Sequence, residues 1–296
     1  AARRLRSQGL CDLCGLVHDA GHSTRLVAAS SHGTRMVIDV VWACVFTAMC
    51  WWFGTGVILW LDRLPPASFR WSLLGWTMLL ILSFKGVYES MREVSVANAY
   101  LAFGSVIVMW GWHELAFLTG WITGPRKVAL TEGARGWQRF KESVQVMLHH
   151  EVALLLNFGI LWLMQKDQPN HVALCTYALL WFMRLSAKLN LYFGVPQNGA
   201  QYLPSHLVYL ASYFRTRLIT PWFVISISAA IGTWCWLVWQ AQQGAMAITT
   251  GWVMLATLLG LAIVEHLIMI FPLPLERLWG WAMGQSSVET PLTTPH

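Results

Sequence analysis

Seven stretches of mainly apolar residues set the limits on what this chain can fold into: 36–61, 71–88, 96–120, 143–164, 171–193, 220–240 and 248–271. An α-helix rises about 1.5 Å per residue, so about 20 such residues cross a hydrocarbon core of about 30 Å. Inside lipid each backbone N–H and C=O needs a partner within its own segment, which selects helices over open sheets. The expected fold is therefore all-α, a polytopic transmembrane helical bundle of about seven spans. Composition agrees, because 56% of residues are hydrophobic and 11% charged, too few charges to cover a water-soluble surface. The second stretch is the weakest, since Lys85 interrupts it. Pro65-Pro66, Gly124-Pro125 and Gln168-Pro169-Asn170 punctuate the gaps, which are short as in an antiparallel bundle. Trp60, Trp71, Trp121, Trp162, Trp222 and Trp239 stand at stretch ends, the place of an aromatic belt.

The formal charge of +6 does not point to nucleic acid, because Lys and Arg sit at the ends of the apolar stretches, where they orient spans and meet anionic lipid. With seven spans, Arg63, Arg70, Arg126, Lys127, Arg135, Arg139, Lys141, Arg215, Arg217 and Arg277 fall on one side. The other side holds Arg92 and Lys166, plus the basic residues of the N-terminal tail. The richer side should be cytoplasmic, which places the C-terminus inside. Residues 1–35 read as a polar tail outside the native bundle, with translation expected to begin at Met36; 36–280 form the bundle, and 281–296, rich in Ser, Thr and Pro, a disordered end. Cys11, Cys14, His18 and His22 have the chemistry of zinc ligands, but three residues between Cys14 and His18 are far fewer than the loop of about a dozen that structural sites use. The other cysteines lie in apolar stretches, so no disulfide framework is expected.

Ionisable groups inside spans cost about 2.5 to 3.5 kcal/mol each on insertion scales, so each calls for a partner or a function. His113 and Glu114 lie near the end of the third stretch, His150 and Glu151 near the start of the fourth, Glu265 and His266 near the end of the seventh. Arg184, Lys188 and Asn190 occupy the last turns of the fifth. All fall at a similar depth, roughly 5 to 15 Å below the cytoplasmic surface at 1.5 Å per residue. Three readings stay open. The glutamates pair with Arg184, Lys188 and the histidines in a structural charge network that includes Asn190. Alternatively His113, Glu114, His150, Glu151, His206, Glu265 and His266 supply ligands for iron or another divalent metal. Adjacent His-Glu pairs count against this, since neighbours on a helix point about 100° apart. In the third reading His113 or His266 ligates the magnesium of a bacteriochlorophyll or a haem iron. His206 stands in an amphipathic stretch, 202–210, that fits the membrane interface, and 136–148 is a second such stretch leading into the fourth span. No phosphate loop, hydrolase elbow or Walker sequence occurs, and no catalytic residue can be named.

Several motifs carry a family resemblance: Trp52-Phe53 with Thr55-Gly56, Trp110-Gly111-Trp112-His113-Glu114, Thr123-Gly124-Pro125-Arg126, His150-Glu151, Ser186-Ala187-Lys188-Leu189-Asn190, Ser212-Tyr213-Phe214-Arg215 and Glu265-His266. In this order, over about 52–279, they resemble the PuhE family, also called photosynthetic complex assembly protein 2. The resemblance implies a bacterial photosynthetic inner membrane and a role in building reaction-centre and light-harvesting complexes, through transient contact with their subunits, or in controlling their pigment supply. It supplies no catalytic residue. The alternative from another class is a membrane His/Glu metalloenzyme acting on a lipid-like, tetrapyrrole or isoprenoid substrate. A permanent subunit of the finished complex is a third class.

Overall fold

The computed structural model of the protein describes residues 36–271 and 279–283. The tail with its Cys and His residues, Arg277 and most of the C-terminal end lie outside them. The chain divides between Ala43 and Cys44, and the packing that follows is that of Cys44–His296.

Among the described residues the structure is all-helical. The helices are α1 (Met36–Asp62), α2 (Phe69–Met91), α3 (Val96–Leu118), α4 (Gly136–Gln145), α5 (Leu148–Met164), α6 (Val172–Phe193), α7 (Pro221–Ala241), α8 (Met246–Ile268) and the short α9 (Gly280–Met283). Six are long and apolar enough to cross a membrane, and α4 with α5 makes a seventh if the bent pair counts as one span. The chain is thus a multi-pass helical membrane protein. Local chemistry sets several boundaries. The Ser95 hydroxyl accepts from Asn98 N at 3.1 Å to start α3, and Thr220 accepts from Phe223 N ahead of Pro221 to start α7. Gly194, at φ 120°, ends α6 in a conformation that side chains rarely adopt.

α2 packs along α3, α7 along α8, and α3 also meets α5, α6 and α8. Half of α3 and 56% of α8 are buried across their apolar windows, against 17% for α2, α6 and α7, so α3 and α8 form the middle of the bundle. One core joins Val87, Met109, Leu154, Leu161 and Tyr177 from four helices, and another joins Ala230 and Leu237 to Leu255 and Leu259. Helices cannot gain hydrophobic energy from one another in lipid, so close packing and polar contacts must hold them. At Gly111 an added Cβ would meet Trp76 Cζ2 at 2.5 Å, and that indole donates to Val108 O at 2.8 Å. Trp112 donates back across the same pair to Thr77 Oγ1 at 2.9 Å.

The fourth stretch departs from the expected single helix over 143–164. The chain bends by 63° between α4 and α5, leaving α5 with 17 residues. The cause lies in α4, whose Arg139, Lys141 and Glu142 could not follow the helix axis into hydrocarbon without large cost. Arg139 is instead buried against protein, its Nη2 donating to Tyr192 O and Tyr213 O at 2.9 Å each and its guanidinium 3.9 Å from the Tyr192 ring centroid. Glu142 receives Arg126 at 2.9 Å, Gln138 at 3.1 Å and the Thr131 backbone N–H at 3.0 Å. Trp137, Phe140 and Val144 point away from the protein. The amphipathic stretch 202–210 keeps one face on the protein and leaves Val208 exposed. The 3-10 helix Ser205–Tyr213 buries Leu207, Leu210 and Tyr213 against Phe117 and Val146.

Candidate functional site

The polar residues picked out in the spans do gather around the end of the bundle where α3, α5, α6 and α8 meet. Glu114 and Arg184 pair between α3 and α6 at 2.7 Å, with the Glu114 side chain 12% exposed and that of Arg184 37%. Lys188, one turn further along α6, bonds Glu151 of α5. Its ammonium also stands 5.8 Å from the Phe117 ring centroid. Glu114 and Arg184 lie within electrostatic range of Lys188 and of Glu265, so the four charges and Glu265 form one neighbourhood. Asn190 stands outside the ion pairs, its Nδ2 donating to Ser226 Oγ of α7 at 3.2 Å.

The histidines take separate places. His113 Nε2 lies 2.9 Å from the Asn157 amide, and its ring packs edge-on against Trp112 and Tyr177. His150 is fully buried with its ring 4.7 Å from that of Phe117, and neither ring nitrogen has a partner among the described residues. His266 is held at both nitrogens, Nδ1 by Ala262 O at 2.8 Å and Nε2 by Ser186 Oγ at 3.0 Å. His206 is removed from the charges. Its Nε2 donates to Leu118 O at 2.7 Å, closing an otherwise orphaned carbonyl at the end of α3, and its ring lies 5.9 Å from Phe69.

These placements bear differently on the three readings. Among the described residues no group of three or more His, Cys, Asp or Glu side chains could hold one ion, so His113, Glu114, His150, Glu151, His206, Glu265 and His266 are not assembled as a ligand set. Of the two residues named for a pigment, His266 has both nitrogens engaged, whereas His113 has Nε2 against Asn157 and a buried Nδ1 without a partner among the described residues. The paired glutamates match the charge network, formed by Glu114 with Arg184 and Glu151 with Lys188.

Glu265 is the exception within the layer. Trp51 Nε1 donates to its Oε1 at 2.8 Å, and no Lys or Arg among the described residues reaches it. Its side chain borders a cleft of about 220 Å³ with Leu191, Gln197, Asn198, Gln201 and Tyr202. Sequence reading had passed over Trp51 and Asn157. A lone Asn in the apolar α5 was a legible signal, whereas one Trp among 19 gave none.

Residues 37–290 match the family described as "Protein of unknown function (DUF3623)". The chain is 39% identical over 253 residues to an "Uncharacterized 30.4 kDa protein in puhA 5'region" of Rhodobacter capsulatus, a match that covers 84% of this chain and 92% of that protein. A shorter likeness, 31% over 71 residues, covers 23% of this chain and 62% of a UPF0060 membrane protein of Rippkaea orientalis. No solved structure matches.

Proposed function

The chain belongs to the DUF3623 family, and from that premise we propose that it is a PuhE-type integral membrane factor that helps assemble photosynthetic reaction-centre and light-harvesting complexes. The observation that carries the proposal is the relative named for the puhA 5' region, 39% identical across 92% of its own length. The motifs at His113-Glu114 and at 186–190 that resemble the PuhE family point the same way. The geometry adds a physical argument. Charges inside the spans are engaged with one another rather than gathered around a reacting centre, as suits a scaffold that holds helices in register and presents its outer surface to partners. Partners of this kind are membrane subunits met transiently, and modulation of bacteriochlorophyll supply is the neighbouring form of the same role. The membrane is then the bacterial inner, photosynthetic one, with the C-terminus on the cytoplasmic side. The metalloenzyme alternative has no ligand set among the described residues to support it.

Deleting the gene in a phototrophic host tests the role. Membranes should lose a large share of reaction-centre and antenna absorbance while transcripts of the subunits stay level, and the wild-type gene should restore it. Unchanged complexes in the deletion strain would remove the proposal.

A further inference from the structure

Among the described residues the polar layer of the spans holds three glutamates and only two Lys or Arg side chains: Glu114 takes Arg184, Glu151 takes Lys188, and Glu265 has no ion pair. In place of an ion pair among the described residues, Glu265 has the indole N–H of Trp51 and the more distant charge of Arg184, which is bonded to Glu114. Glu265 is also the one of the three that faces a cleft, with its Oε1 held by Trp51 and its Oε2 without a partner among the described residues. It lies in the last turn of α8, three residues before Ile268 and so about 4.5 Å along the axis from the helix end, and it is exposed.

The chemistry of the cleft specifies what complements it. Among the described residues no Lys or Arg lines it, so no cation described there favours a phosphate or carboxylate. Its polar lining is amide and phenol, from Gln197, Asn198, Gln201 and Tyr202. Asn198 is already committed, to Thr216 Oγ1 and to the Ala200 N–H. Gln197 and Gln201 are exposed, and each can turn a carbonyl oxygen toward a donor. A volume of about 220 Å³ falls below the usual range for drug-sized ligands and excludes a pigment macrocycle. We infer that this cleft is a binding site for a primary ammonium group, with Glu265 as its counter-ion and the Gln197 and Gln201 carbonyls as further acceptors. An ammonium has three N–H donors and no acceptor, which is the complement of one free carboxylate oxygen and two amide oxygens. The ammonium can come from the headgroup of phosphatidylethanolamine or from a soluble amine.

The test uses the full chain in bilayer nanodiscs containing equal phosphatidylethanolamine and phosphatidylglycerol, followed by native mass spectrometry of the lipids that remain on detergent release. Wild type should keep phosphatidylethanolamine about tenfold over phosphatidylglycerol, and Glu265→Gln should erase the preference. The double variant Gln197→Ala/Gln201→Ala, at exposed positions where folding is not at stake, should weaken it by several-fold. In a parallel arm, ethanolamine is added to lipid-free protein in detergent. A rise in melting temperature with wild type but not Glu265→Gln, without any lipid preference, assigns the site to a soluble amine. Equal retention of the two lipids by wild type, together with no stabilisation by ethanolamine, overturns the inference.

Discussion

Lys188 and Glu151 bond between α6 and α5 with side chains 12% and 26% exposed, so their bond is better judged by what happens when half of it is removed. Lys188→Met leaves Glu151 with a charge and no partner, and should destabilise the purified protein by about 3 kcal/mol, at the low end for buried pairs because Glu151 keeps part of its surface open. Glu151→Gln added to Lys188→Met should recover much of that loss, a coupling that chemical unfolding in detergent can measure as a double-mutant cycle. Strict additivity would mean that the bond holds nothing in place. The gathering of this polar layer at one end of the bundle was legible in the sequence, because each ionisable residue could be placed along its helix axis at 1.5 Å per residue. Its pairing was not, because azimuth is set by packing. Each His-Glu pair splits as the 100° step requires. Glu151 turns to Lys188 while His150 turns to Phe117, and Glu265 turns to Trp51 while His266 turns to Ser186. The metal reading needed both members of each pair to face one point.

Helix α4 inverts much of the amphipathic pattern of a soluble helix, with Arg139 and Glu142 inside, Lys141 exposed and its aromatics outside. Arg139 and Glu142 are buried, whereas Trp137 is 74% exposed and stacks on Phe140 with centroids 5.3 Å apart. At 63° to a membrane-crossing α5 it runs closer to the membrane plane than to its normal, where Trp and Phe meet the headgroup boundary. The sequence showed the two faces but not which one turned inward, since in water the opposite choice would win. Two outcomes follow from how α4 is seated. A Cβ at Gly124 would lie 2.0 Å from Gln145 O and 2.6 Å from Val146 C, both backbone atoms that cannot swing aside. Gly124→Ala should therefore cost about 1 to 3 kcal/mol or more, read as a fall in melting temperature, and an unchanged melt would show that this close approach is not maintained. The second outcome concerns pH. The Thr131 N–H, more than any charge, holds the Glu142 carboxyl below the usual range, with Arg126 adding to it. A folded value below the unfolded one means that the unfolded chain binds more protons, so this stabilisation is complete above the unfolded carboxylate value and disappears as pH falls through the folded one. Melting temperature should drop on acidification below about pH 4.5 more steeply for wild type than for Glu142→Gln.

Across the whole bundle, contacts between connecting segments sort into two sets that fit the two faces of a membrane. At one end Arg126 bonds Tyr213, Arg139 reaches Tyr192 and Tyr213, and Gln197 N donates to Met269 O. At the other, Asn170 Nδ2 donates to Ser90 O and its backbone N–H to Met91 O. The first set holds Arg126, Lys127, Arg135, Arg139, Lys141, Arg215 and Arg217, and the second Arg92 and Lys166, so the charge imbalance read from sequence follows a structural division. This much was legible because span length and loop charge are local properties. The bend before α5 was not, because it depends on Arg139 finding carbonyls more than 50 residues away in sequence. Only α5 leaves the count open, and 17 residues at 1.5 Å each span about 26 Å, enough for a slightly thin bilayer. If α5 crosses, Lys127 and Arg217 share a face and Gln168 occupies the opposite one. Reporter fusions after Lys127 and after Arg217 should then report cytoplasm, and one at Gln168 the periplasm. A cytoplasmic signal at Gln168 would make α4 and α5 a re-entrant pair, leave six spans, and reverse α6, α7 and α8. The Asn170 contacts with Ser90 and Met91 oppose that outcome, because they tie the start of α6 to the end of α2, across the bundle from the basic loops.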